Sequence, residues 1–461
     1  MKIVVCVRQG LDGAINPFDA CAYEEALKIE NAQVTLLSMG PLSAKDFLWN
    51  LTRQGAAQAV LLSDAVFAGA DTLATAYALS LAIQKLSPDY VFCGRQTLIG
   101  DTAQTGPMLS VYADCSLVTN VMRIANITDT HINCETREMG MQQVSAPALL
   151  TIERINTLRL PRLRAKLGEL TVWSAQDIGA DPSRCGLKGS PTRVLKTFEN
   201  ASGKRKCQYV SPSELDAVLT ASLQKQTQKS APATTFTAPL KKVWIVGDDP
   251  MDFAKQISDD VTVVDRDTPQ AIADRICAEQ PNAVLWGSDA WSKQTAAQVA
   301  AMLNLGLCAD CTALETDGET LIMYRPALSG SVLAKIISRT TPAMATVRTT
   351  KQSSGMMVAA GYGAKDHLDK VKRFAERYHA EQTATRKAVD NDLLPYEMQV
   401  GLTGKTVSPS VYVAFGVSGA VHHIVGMQQS GTVIAVNRDK DAPIFDYADY
   451  GIVADIDEVL S

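Results

Sequence analysis

Short apolar runs alternate with longer amphipathic stretches along the first hundred residues. The pattern predicts a strand over 2–7, a helix over 19–31, a strand over 33–38, a helix near 43–55, a strand over 58–62, a helix across 71–86 and a strand over 89–93. A strand covered on both faces reads as an unbroken apolar run, and the amphipathic stretches supply the helices that cover it. The expected fold class is therefore α/β, with a largely parallel sheet and helices on both faces. The pattern resumes with V-W-I-V-G at 243–247, V-T-V-V at 261–264 and A-V-L-W at 283–286.

The second run of elements repeats the first. P-D-Y-V-F-C-G at 88–94 parallels P-N-A-V-L-W-G at 281–287, and T-A at 102–103 parallels T-A at 295–296. A-D-C-S at 113–116 parallels A-D-C-T at 309–312, and P-A-L-L-T-I at 147–152 parallels P-A-M-A-T-V at 342–347. The offset changes by only a few residues, as loop insertions would change it. These are two copies of one α/β unit, each too long to be a solenoid repeat. Between them, 200–207 is polar, 209–220 has the pattern of one helix, and 221–240 is rich in Ser, Thr, Gln, Ala and Pro. That last stretch has little to bury and reads as a linker.

A third pattern closes the chain. An apolar strand over 411–417 runs into Ser418, Gly419 and Ala420, and a helix is expected from about His422 and His423. A small-residue turn between strand and helix leaves backbone N–H groups unpaired at the positive end of the helix dipole, which suits a phosphate or pyrophosphate. The following strands end at Asn437 and at Asp455, and polar groups at strand ends beside such a turn are where an α/β sheet holds a nucleotide.

Composition narrows the classes. Among 461 residues, 46% are hydrophobic and 20% charged, the balance of an ordinary globular chain of about three domains. A net charge of −5 argues against nucleic acid as a partner. No run is long and apolar enough for a membrane span, and Met1 leads straight into a strand, so neither membrane insertion nor a signal peptide is expected. Ten irregularly spaced cysteines suit a reducing cytoplasm, and cytoplasmic localisation is expected. Cys308 and Cys311 have CxxC spacing, but no second pair supports zinc, so they read as small buried residues.

The motifs also carry a family resemblance. G-L-T-G-K at 401–405, G-V-S-G-A-V-H-H at 416–423, V-N-R-D at 436–439, A-P-I-F at 442–445 and A-D-Y-G at 448–451 resemble the flavin-binding domain of the electron-transfer flavoprotein alpha subunit. The first half resembles the beta subunit of the same family, through K-I-V-V-C-V-R-Q at 2–9, N-P-F-D at 16–19, C-G-R-Q-T-L-I-G-D-T-A-Q-T-G-P at 93–107, L-R-L-P-R at 158–162 and G-L-K-G-S-P-T at 186–192. The segment 241–348 resembles the alpha subunit's first domain, most clearly in L-G-L-C-A-D at 305–310 and T-P-A-M-A-T-V-R at 341–348.

The resemblance implies a beta-alpha fusion in one chain: two similar doubly wound, mostly parallel α/β domains and a C-terminal flavodoxin- or Rossmann-like FAD-binding domain. Its boundaries would be 1–220 for the adenine-nucleotide-binding domain, 221–240 for the linker, 241–348 for the alpha-like domain and 349–461 for the FAD-binding domain. It implies a soluble electron carrier rather than a stand-alone catalyst, with no catalytic residue and no metal. An electron-bifurcating protein that oxidises NADH with two FADs, and a non-redox nucleotide-binding protein, remain alternatives. The donor would be an acyl-CoA-type or other flavin dehydrogenase, and the acceptor a quinone reductase or ferredoxin-type protein.

For FAD, the resemblance implies Thr385 and Arg386 in a short loop, with the guanidinium over the isoalloxazine or against a negative reduced flavin. Gly401, Leu402, Thr403 and Gly404 form the next loop. Ser418, Gly419, Ala420, Val421 and His422 would surround the pyrophosphate turn. His423 would stand at the pyrimidine edge as a cation or donor, and Asn437, Asp455 and Ile456 at the adenosine end. The family's Gln is Leu402 here, and its Arg is Tyr362 in A-G-Y-G at 360–363, which predicts a lowered reduction potential or looser flavin. Cys6, Asn16, Pro17, Phe18, Asp19, Gly94, Asp101, Gln104 and Thr105 match the family's second nucleotide site, for AMP or a second FAD. Leu160 and Leu163, flanked by Arg162 and Arg164, match its partner-docking loop. A hinge for a swinging flavin domain is expected near Arg348 to Ser354.

Overall fold

The computed structural model describes residues 1–10, 12–128, 130–199, 204–224, 238–328, 332–348, 355–401 and 404–460. The chain divides into two compact units. One comprises residues 1–197, 234–328 and 334–349, and the other residues 198–233, 329–333 and 350–461. The expected linker over 221–240 and the expected hinge lie largely outside the described residues.

The first unit contains both copies of the repeat. In the first copy, strands Gln33–Met39, Lys2–Cys6, Tyr90–Gly94, Ala148–Ile152 and Ser116–Ile127 are neighbours in that order and all parallel. In the second copy the order is Val261–Val264, Val243–Val246, Ala283–Trp286, Ala343–Val347 and Leu307–Cys311, again all parallel. The equivalent strands are those the sequence repeat pairs. The first sheet grows to nine strands by Gln58–Leu62 and Glu169–Trp173 at one edge and the antiparallel pair His131–Thr136 and Gly140–Ser145 at the other.

The apolar runs became strands because both faces are covered: every residue of Val243–Val246 and of Ala283–Trp286 is buried. Helix Pro17–Lys28 starts with Pro17, whose missing N–H costs nothing in a first turn. Helix Thr72–Leu86 is capped by Asp71, whose carboxylate accepts from the N–H of Leu73 and Ala74 at 3.0 and 3.1 Å. The helix expected near 43–55 is instead three short helical pieces, Leu42–Ala44, Lys45–Leu51 and Thr52–Gln54. One core holds Met108 and Leu109 of the first copy and Ala296, Ala297 and Ala300 of the second, so the copies share their apolar interior.

The second unit is one parallel sheet, in the order Gln208–Tyr209, Tyr450–Val453, Thr432–Asn437, Val411–Phe415, Met356–Ala360 and Glu381–Ala384. From Met356–Ala360 the chain winds first to one side and then to the other. This is the flavodoxin-like order, and its switch point falls between Met356–Ala360 and Val411–Phe415.

The segment 204–224, of which the sequence reading places 204–220 with the first domain and 221–224 in the linker, packs in this second unit. Gln208 and Tyr209 extend its sheet, and Leu215 and Leu219 are buried beside Val371 and Phe374. The guanidinium of Arg205 donates to the carbonyls of Gly431 at 2.8 Å and Ser430 at 2.6 Å and pairs with Asp449. A two-residue edge strand has no periodicity to announce it, and a polar stretch reads as solvated until a guanidinium fork is seen to anchor it.

Candidate functional site

The carboxyl ends of the parallel strands in the second unit bring the expected flavin residues to one edge of the sheet. Ser418, Gly419 and Ala420 follow strand Val411–Phe415, and helix Val421–Met427 starts next to them. Gly419 has φ +88°, and a Cβ there would lie 2.1 Å from the N of Ile444. Only glycine therefore lets this turn close under Pro443–Tyr447. Ser418, Ala420 and Val421 are exposed, His422 is half-buried and Gly419 is buried. On the other side of the switch point, a Cβ on Gly361 would meet the O of Gly416 at 2.1 Å, and the two loops touch through glycine.

Thr385 is buried, and its N–H donates to the O of Ala360 at 3.1 Å, tying it to the end of the switch-point strand. Arg386 begins helix Arg386–Val389 and donates from Nε to Asp390 at 3.2 Å. Gly401 and Gly404 sit in a loop closed by Gly401 N to Lys405 O and Lys405 N to Gln399 O, at 3.0 and 2.7 Å. Leu402 and Thr403 lie outside the described residues. Asn437 donates from Nδ2 to the O of Val417 at 2.9 Å, holding the strand end against the turn. Asp455 caps helix Ile456–Val459 by accepting from the N–H of Asp457 at 3.0 Å, and Ile456 is buried.

Two expectations change. The cationic role implied for His423 does not suit its surroundings. The ring is buried, Nε2 lies 3.1 Å from the Tyr412 hydroxyl and Nδ1 3.1 Å from the O of Val400. Burial pulls its pKa down to about 4, so the imidazole is neutral at neutral pH and braces the sheet. Conversely, Tyr362 does not leave its position without positive charge: the Nζ of Lys387 lies 4.6 Å and that of Lys365 5.5 Å from the ring centre.

A glycine-closed crevice at a switch point, with the strand–helix turn 418–421, the Thr385 hydroxyl and the Arg386 guanidinium at the strand ends, has the groups an anionic dinucleotide needs.

The first unit holds a cavity of about 940 Å³, lined among others by Cys6, Asp19, Gly94, Gln104, Thr105 and Arg325. Five of the nine residues assigned to the second nucleotide thus face it. The other four hold its walls. Asn16 donates to the O of Gln96 at 2.9 Å, Pro17 and Phe18 open the helix beneath, and Asp101 accepts from Gln96 Nε2 at 2.7 Å. Gly94 is required there, because a Cβ would lie 2.3 Å from Asp19 Oδ1. Burial pushes the Asp19 carboxyl up to about 7, although it accepts from the N–H of Arg8 at 2.8 Å. Burial also raises Asp101 to about 6, opposed by the nearby Arg325.

Gln104 is held at the cavity wall through its side chain. Its Oε1 accepts from Thr72 at 3.1 Å, while its buried Nε2 has no hydrogen-bond partner among the described residues. Arg325 was missed by the sequence reading. It is buried, and its Nη2 donates to the carbonyls of Gly100 and Asp101 at 2.8 and 3.0 Å. The second copy thereby fixes the loop of the first copy that lines the cavity, a placement no linear spacing encodes.

In the loop 156–166, Leu160 is 88% and Leu163 96% exposed, with Arg162 and Arg164 exposed beside them. Its base is anchored by Arg159, which donates to both oxygens of Glu24. Among the described residues, no helix is long and apolar enough to cross a membrane.

The chain matches two family descriptions: Electron transfer flavoprotein domain over residues 3–178 and 258–365, and Electron transfer flavoprotein FAD-binding domain over residues 352–428. It is 42% identical over 227 residues to Protein FixA of Azorhizobium caulinodans, covering 45% of this chain and 81% of that protein. It is 42% identical over 202 residues to the electron transfer flavoprotein subunit beta of Thermoanaerobacterium thermosaccharolyticum, covering 41% and 78%. The corresponding subunit of Clostridium acetobutylicum is 41% identical over 201 residues, covering 41% and 78%.

Proposed function

Because this chain belongs to the electron-transfer flavoprotein family, we propose that it carries electrons from a flavin-dependent dehydrogenase, of acyl-CoA type or another, to a quinone reductase or ferredoxin-type acceptor. The observation that carries the reading is the glycine-closed crevice at the switch point of the second sheet, inside the segment matched as an FAD-binding domain. FAD bound there supplies reversible electron chemistry. The protein's part is to hold and tune it. The N–H groups at 418–421 take the pyrophosphate, and Thr385 and Arg386 contact the ring system. Asn437 keeps the turn in register for the adenosine end. Lys387 and Lys365 put positive charge beside Tyr362, where the resemblance expects an arginine. Positive charge near the ring favours added electrons, so the potential is lowered less than Tyr362 alone would predict.

The cavity of the first unit takes a second adenine nucleotide, AMP or FAD. Its volume lies near the upper end of ordinary ligand sites, with room for a dinucleotide. That favours a second reading, a two-FAD protein that oxidises NADH. The exposed Leu160 and Leu163, with Arg162 and Arg164, dock the electron donor through a small, charge-steered interface.

Anaerobic mixing tests the reading. A substrate-reduced flavin dehydrogenase should bleach the flavin absorbance of the full chain while NADH alone leaves it unchanged. Bleaching by NADH alone supports the two-FAD alternative. Loss of colour with neither reductant would contradict both.

A further inference from the structure

The CxxC pair of the second copy is left without a role by electron carriage. Strand Leu307–Cys311 pairs Cys308 with Ala345 and Cys311 with Val347, so three steps on one strand face two on the other. Asp310 absorbs the extra residue at φ +53°. In a regular strand, residues three apart point to opposite faces. The bulge turns both cysteines to the same side. Cys311 Sγ lies 3.7 Å from the O of Cys308, and both thiols are buried in one apolar cluster. Cys308 also lines the 940 Å³ cavity, where Arg325 stands, while Cys311 lies behind it. The equivalent positions of the first copy are Tyr112 and Cys115, so only the second copy has the pair.

We propose that Cys308 and Cys311 form a reversible dithiol–disulfide pair, reached by low-molecular-weight disulfides through the cavity when no nucleotide occupies it, with Cys308 attacking and Cys311 resolving. The order follows from the surroundings. Cys308 lines the cavity and Cys311 does not, so an incoming disulfide meets Cys308 first; the positive charge of Arg325 favours its thiolate there, while burial holds the Cys311 thiol up. The Cys308 thiolate attacks one sulfur of the small disulfide and releases the other as a thiol. Cys311 gives up its proton to the mixed disulfide's leaving sulfur as it displaces that sulfur from Cys308, and closes the protein disulfide. Two S–H bonds are lost, one S–S bond forms, and two electrons pass to the small disulfide, which leaves as two thiols.

Three neighbours at the cavity wall or core compete. Cys6 and Cys93 are register partners on adjacent strands and both line the cavity. The hydrogen bond to Cys6 and burial raise Cys93, and burial raises Cys115 to about 11. Cys93 and Cys115 are therefore the poorer nucleophiles, and Cys6 is the competitor that the peptide map has to separate from Cys308.

The full chain is treated with oxidised glutathione, alkylated and peptide-mapped by mass spectrometry. The peptide carrying both cysteines should lose two hydrogens and regain them with dithiothreitol, at least about tenfold faster than Cys6 and Cys93 link. Cys311→Ser should trap a glutathione adduct on Cys308, while Cys308→Ser should leave Cys311 unmodified. Wild-type mapping needs no variant to fold. The proposal is overturned if Cys308 and Cys311 stay reduced while other cysteines oxidise, or if the two variants take up equal adduct.

Discussion

Gly419 shows how little freedom the flavin turn has. Its φ of +88° is left-handed, and the Ile444 nitrogen stands 2.1 Å from where a Cβ would be. Gly419→Ala should cost about 1–3 kcal/mol of local strain and release bound FAD, read as lower flavin content after gel filtration. Asp19 makes a different residue-scale prediction. Its carboxyl titrates near 7 in the folded chain, against an unfolded value near 3.8. Between those pH values the folded state holds the extra proton, so its stability falls as pH rises, by up to about 1.4 kcal/mol per unit. Asp19→Asn should flatten that slope in urea unfolding midpoints taken from pH 4 to 7. An unchanged slope would remove Asp19 as its source. Both residues were legible in the sequence, because a strand–turn–helix motif fixes its own local geometry. The neutral state of His423 was not, since it depends on Tyr412 and Val400 closing around the ring.

At the scale of elements, strands such as Tyr90–Gly94, Val243–Val246 and Ala283–Trp286 were readable because they are buried on two faces and appear as bare apolar runs, whereas the half-exposed Ser116–Ile127 was not among the strands the pattern predicts. The repeat in sequence then reappeared as the same strand order. What could not be read was where 204–224 goes. That segment joins the second unit through a two-residue strand and the fork of Arg205, neither of which has a period. Arg205→Ala should remove the guanidinium from the Gly431 and Ser430 carbonyls and from Asp449, whose carboxylate keeps the Val433 N–H, and lower the stability of that unit by about 1–3 kcal/mol. Hydrogen exchange should speed up in Val411–Phe415 and Thr432–Asn437 and stay unchanged in Lys2–Cys6 and Tyr90–Gly94. Equal loosening of both units would contradict the assignment of Arg205 to one. Arg325 belongs at this scale too: it reaches the loop at Gly100 and Asp101 from a strand of the other copy, so only packing of the copies reveals it.

For the whole molecule, function requires both a cofactor and a surface that a partner recognises. Leu163→Glu removes the most exposed apolar tip of the 156–166 loop and opposes a negative partner with negative charge. Electron uptake from the cognate dehydrogenase should slow at least about tenfold with the flavin spectrum unchanged, since the loop lies outside the FAD-binding segment. An unchanged rate would place docking elsewhere. The family and the class of cofactor were legible because their motifs span nearly the full chain, whereas the donor and acceptor leave no local signature.

The central claim is that the crevice at the switch point of the second sheet holds FAD. The most direct measurement is the molar ratio of FAD released on denaturing the gently purified full chain, with Gly419→Ala measured beside it. The account predicts at least one FAD per wild-type chain, any second one belonging to the other cavity, and a loss of about one equivalent in the variant. Protein that is colourless as isolated and after incubation with FAD, or a variant that retains all its flavin, would contradict it.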